Sequence, residues 1–226
     1  MTLFFVLGGL LFLALMLASI AQRYQAYVEE RRRRVQRILR RVGELEETLL
    51  RMSGLPVPVE AERILRSEVL ARLELVKKVH PRYRGIDAMI AAAAKALDEV
   101  KPVEVGRLLD HVRLESLLRS LGEVLWMVQE RRYISPLTEA SPRQLMQVIA
   151  LRRAECVYRH HRHEAERMAK DGQMHQALWH CRQILAFINE HGPEDDQVSD
   201  WYREAQSRAR QIERVIRGQP DVSSSE

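Results

Sequence analysis

Three side chains near the middle of the chain have the types and the spacing to hold a metal ion. Cys156, His160 and His163 recur at i, i+4 and i+7, which puts them on one stripe of a helix, about a quarter turn from its alanine face. A tight turn at Asp171-Gly172 folds the following helix back, and the pairing expected across that turn sets His180 opposite His163. Thiolate and imidazole are the ligands of tetrahedral zinc, so Cys156, His160, His163 and His180 together would make a conceivable site for a metal-dependent enzyme or sensor. The recognised patterns are absent, however. His163 is followed by Glu164-Ala165-Glu166, which is not HExxH, and there is no CxxC pair. A solvated polar stripe on an Arg- and His-rich helix explains the same residues, and the expectation is no bound metal and no cofactor. GxxxxGK[ST], GxGxxG and GxSxG are missing too, so no residue is nominated as catalytic and the chain is not expected to be an enzyme.

The same helix carries Arg152, Arg153, Arg159, Arg162 and Arg167. Such a row suits phosphate contacts, and a membrane-tethered nucleic-acid binder is a second alternative. Glu155, Glu164 and Glu166 are interleaved with it and no base-reading module is recognisable, so nucleic acid is not the expected partner. Trp179 and Phe187 lie nearly aligned two turns apart, off the main apolar face of their helix. They are the candidates for holding a protein partner, although a contact inside the domain serves them equally well.

The elements that must position these groups are helical. Leu, Ala, Arg, Glu and Gln dominate while aromatics are only 6% of 226 residues, a composition that favours an all-α fold. Two cysteines are too few for a disulfide framework and suit a reducing compartment. Residues 2–22 contain no charged side chain, and as helix they would extend about 30 Å, the thickness of a bilayer's hydrocarbon core. Eight arginines against Glu29 and Glu30 follow within residues 22–41. A span with an uncharged start and a basic exit is expected to be a single-pass anchor in a bacterial-type inner membrane, with the bulk of the chain cytoplasmic. Arg31, Arg32, Arg33 and Arg34 are placed to meet lipid headgroups.

Downstream, Val28, Val35, Val42 and Leu49 share one heptad position, and Arg31, Ile38, Leu45 and Met52 the other. Over residues 23–53 this predicts either a short coiled coil, which would make the chain a homodimer, or an amphipathic helix packed on its own domain or lying on the bilayer. A cytoplasmic helical domain is expected over 58–217 and a disordered tail over 218–226. Its helices are read at about 59–79, 84–100, 103–132, 141–170, 173–190 and 194–217. Ser141-Pro142-Arg143-Gln144 is a helix start with a capping box.

One hairpin resembles a known repeat. From Ala165 to Leu178 the order of Ala165, Ala169, Gly172, Ala177 and Leu178 is similar to the turn of a tetratricopeptide hairpin, and the likeness extends over about residues 154–188. No second copy follows at the family's period of about 34 residues, and a solenoid needs about three. The resemblance implies a protein-binding role. The function expected is therefore a membrane-anchored helical scaffold or adaptor that positions a protein partner at the inner membrane.

Overall fold

The computed structural model describes residues 2–101, 110–135 and 141–218, with side chains from Leu15 onward. The described residues form seven α-helices and no strand: α1 (Thr2–Met52), α2 (Val59–Val79), α3 (Ile86–Asp98), α4 (His111–Gln129), α5 (Pro142–Lys170), α6 (Met174–His191) and α7 (Asp196–Ile216). The all-α expectation holds. Leu108, Pro102, Pro136 and most of the expected tail lie outside the described residues.

α1 is one helix of 51 residues in two regimes. Residues 15–30 are exposed along their whole circumference, and Leu15, Met16, Leu17 and Ile20 cover nothing in the domain. From Val35 the heptad turns inward: Val35, Val42, Leu45 and Met52 are buried in one core with Ile64, Leu65, Val69 and Leu73 of α2 and Leu117, Leu121 and Val124 of α4. The seam that would pair two chains is thus filled by the chain's own helices, and of the two readings of the heptad the amphipathic one describes residues 35–52. The division expected between a 23–53 helix and a 58–217 domain accordingly runs through the middle of a single core. Among the described residues no helix is long and apolar enough to cross a membrane. The side chains of residues 1–14, which make up most of the expected span, are outside the described set.

α5 is the spine of the rest. Its first half closes the α1–α2–α4 core with Leu145, Ile149, Cys156 and Val157, and its second half starts a smaller one. There Ala165 of α5, Ala177, Leu178 and Cys181 of α6, and Ala209 and Ile212 of α7 pack together. Alanines at the contact allow these three helices to approach closely. Ser141 caps α5 as its sequence requires: its hydroxyl accepts from Gln144 N at 3.2 Å and Gln144 Oε1 accepts from Ser141 N at 3.0 Å. Gly172 takes φ +75° in the α5–α6 turn, a conformation that a side chain would strain. α4 begins at His111, later than the pattern suggested, because the Asp110 carboxylate caps it by accepting from Arg113 N at 2.8 Å.

A buried carboxylate ties the connection after α4 to α2. Glu68 is 0% exposed, and its Oε1 accepts from Ile134 N, Ser135 N and Ser135 Oγ at 2.6, 2.6 and 2.7 Å. Its other oxygen pairs with Arg72, which reaches on to the Arg132 carbonyl. Both oxygens of this charge therefore have donors, the condition for burying it.

Candidate functional site

The α5 stripe does not assemble as the spacing suggested. α5 turns the face of Ala154, Val157, His161 and Ala165 to its neighbours, so His161 meets α6 where His163 was expected. His161 Nδ1 and His180 Nδ1 lie 2.9 Å apart in a hydrogen bond, one ring donating and the other accepting. His163 is exposed and points into a different groove, beside α7. Cys156 belongs to the first core, and burial pushes its thiol up to about 12, leaving it protonated and inert. Of the four speculative ligands only His160 and His180 share a neighbourhood. Among the described residues no group of three or more His, Cys, Asp or Glu side chains is arranged to hold a metal ion.

What the fold gathers instead is a histidine cluster across three helices. His160 and His161 are 6% and 8% exposed, with ring centroids 5.0 Å apart. The His111 ring of α4 stacks on His160 at 6.1 Å, and from α6 the His180 ring lies 5.2 Å from His161. Trp179 closes the outer side, edge-on to His161 at 5.9 Å and to His180 at 4.8 Å. Burial, followed by the neighbouring imidazoles His160, His180 and His111, drives His161 down to about 3. His180 is lowered as well, chiefly by burial, with Glu164 acting the other way. Burial thus keeps His161 neutral at pH 7 and lets it share a proton-mediated contact with His180. His111 could not be foreseen as a member, since 49 positions of chain separate it from His160 and no local pattern links them.

Trp179 is 51% exposed, the value of a residue that both shields the histidines and faces solvent. Phe187 is turned inward: it packs on the first core, under the guanidinium of Arg153 at 5.6 Å from the ring centroid. The two candidates therefore form no common patch, because the helical advance between them sends one to the surface and the other to the core.

The second concavity is a groove of about 600 Å³ between α5 and α7. Its floor is the stacked pair Tyr158 and Trp201, with centroids 5.1 Å apart and planes 13° from parallel. The Tyr158 hydroxyl donates to Glu204 at 2.5 Å and accepts from Arg162 at 3.0 Å. Burial and the Glu204 bond raise that hydroxyl to about 12. Arg162 also contacts Glu166 at 3.2 Å and Glu204 at 3.3 Å, and Arg208 of α7 reaches Glu166 at 2.9 Å. Burial alone would raise Glu166, but the hydrogen bonds from Arg162 and Arg208 hold it below the ordinary carboxylate range. His163, Gln197 and Asp200 form the rim.

Other arginines of α5 are taken up in such pairs, while Arg153 lies over the Phe187 ring. Arg159 meets Glu155 at 2.8 Å, Arg152 meets the same carboxylate at 3.4 Å, and Arg167 meets Glu164 at 2.5 Å. The row reads as a mixed-charge face and not as a phosphate track. No family model, curated protein or solved structure matches the chain.

Proposed function

We propose that the chain is a membrane-anchored helical adaptor: residues 2–22 span the inner membrane, the domain lies on the cytoplasmic side, and the α5–α7 groove receives a segment of a protein partner. The observation that carries the reading is the behaviour of α1. A helix whose apolar residues 15–20 touch nothing, joined without a break to a stretch buried in the domain core, has the form of a rigid strut that leaves the domain to enter another medium. The uncharged sequence before it and the arginines after it orient that strut.

The groove supplies the adaptor's receiving surface. An aromatic floor flanked by both signs of charge is suited to a peptide that presents an apolar side chain among polar ones. The tetratricopeptide-like order of residues in the α5–α6 hairpin points the same way. A photocrosslinker at Gln197, on the groove rim, tests this in membranes. A discrete adduct that disappears in Trp201→Ala, and that does not form from the exposed control position Val112, is the expected result. Equal labelling from both positions would remove the groove from the account.

A further inference from the structure

The basic run after the expected span is usually explained by topology alone, but the fold gives it a second half. α1 and α2 are antiparallel, and the Arg31 guanidinium donates to the carbonyl of Val79, at the end of α2. A cation on that carbonyl complements the negative end of the α2 dipole. The contact sets the α2–α3 turn, residues 80–85, beside the start of the Arg31–Arg34 run, although some fifty positions separate them in sequence. This turn brings its own cations: Lys77, Lys78, Arg82 and Arg84 are all exposed. The two segments together form a collar of eight cationic side chains at the end of the domain from which α1 emerges. The carboxylates near it are Glu29 and Glu30 on α1, Glu29 lying 3.6 Å from Arg33, Glu74 one turn before Lys78 on α2, and Asp87 at the start of α3, 2.8 Å from Lys77. Eight cations against these four carboxylates leave the collar with a positive excess.

We infer that this composite collar is a docking face for the anionic lipid headgroups of the bilayer that α1 enters, and that it fixes the tilt of the domain on the membrane. The inference rests on the anchor reading. If residues 2–22 fill the hydrocarbon, Arg31 stands about 13 Å along the helix beyond Gln22. The headgroup layer is roughly 5–8 Å deep, so the collar falls within about one Debye length of the surface charge. Cations at that distance are attracted to anionic lipid individually and without a shaped pocket. A lone run on one helix would leave the domain free to swing about the strut, whereas charges on both α1 and the α2–α3 turn resist tilting in two directions.

The test uses the full chain with Pro81→Cys carrying an environment-sensitive fluorophore, the native Cys156 and Cys181 being buried. The protein is reconstituted into vesicles of neutral phosphatidylcholine, or of the same lipid with about one-third phosphatidylglycerol, each containing a headgroup-quencher lipid. Flotation after a high-salt wash reports the anchor, and quenching at position 81 reports the collar. Flotation in both lipids is expected, with quenching several-fold stronger in the anionic vesicles, reversed by salt, and reduced about tenfold in apparent lipid affinity by Lys78→Gln/Arg82→Gln/Arg84→Gln. Flotation in both lipids with identical quenching overturns the collar and leaves the anchor standing. Flotation only with anionic lipid at low salt supports the collar and overturns the anchor, and flotation with neither overturns both. Quenching lost equally in anionic vesicles when a short DNA duplex is added would reassign the collar to nucleic acid and overturn the lipid proposal.

Discussion

His161 shows how burial gives a histidine an unusual chemistry. It is held neutral because its ring sits among His160, His180 and His111 in a place that water scarcely reaches. An unfolded chain would protonate it near the usual histidine value of about 6.5, whereas the folded chain resists down to about 3. The unfolded state therefore binds more protons in this window. The contribution of His161 to stability is complete above about pH 6.5 and falls progressively as the pH drops toward 3. Between pH 7 and 5 this amounts to about 2 kcal/mol, adding to any change from His180. Denaturant unfolding of wild type and His161→Leu at the two pH values checks it: the variant should lose most of the wild-type slope, and an unchanged slope would show that the cluster does not titrate on unfolding. Glu68 makes the complementary case. Glu68→Ala leaves Arg72 and two backbone amides without their acceptor in the core, and a loss of about 3–5 kcal/mol is expected in the same measurement.

Helices were the most legible level, and their reasons are particular. α5 announced its start, because Ser141, Pro142 and Gln144 carry the whole capping box within four positions. α6 and α7 were bounded by Gly172 and by the acidic residues before Asp196. α4 starts at the Asp110 cap, which has a single polar side chain to signal it, and the expected stretch over 103–109 lies outside the described residues. The rotation of α5 was the costly uncertainty. Spacing puts His161 on the alanine-rich face with Ala154, Val157 and Ala165, and that face is the one that meets α6; the pairing of His163 with His180 was misplaced because it was set by the turn and not by that face. Both partners of the Nδ1 contact lie on helices whose register depends on Ala165 and Ala177, each 0% exposed. Substituting Leu for either alanine should force α5 and α6 apart, at about 1–3 kcal/mol or more. It should also raise the fluorescence sensitivity of Trp179 to a soluble quencher, as its histidine neighbours move away. A well-folded variant with unaltered quenching would show that the hairpin does not depend on close helix approach.

At the scale of the whole molecule the described residues form a strut and three buried clusters. The two smaller clusters, both built by α5, α6 and α7, are attached to the rest largely through α5, while the buried part of α1 belongs to the larger one. The α5–α7 groove is thus joined to α1 through Leu145, Ile149 and Val157, where α5 enters the larger core. This arrangement was hidden from the sequence for a physical reason: a heptad looks the same whether its partner is a second chain or the helices that follow it. The seam of Val35, Val42 and Met52 is occupied within one chain, so the folded domain is expected to be monomeric in gentle detergent, as light scattering would report; a dimer dissociated by Val42→Asp would indicate that the seam opens.

The central claim is the strut's passage into a membrane with the domain on the cytoplasmic face. A full chain carrying Ser207→Cys, an exposed position on α7, tests it most directly through labelling with a membrane-impermeant maleimide before and after an alkaline wash. The protein is expected to stay in the membrane pellet and to be labelled in inverted vesicles but not in intact cells. Release by the wash, or labelling from outside the cell, would contradict it.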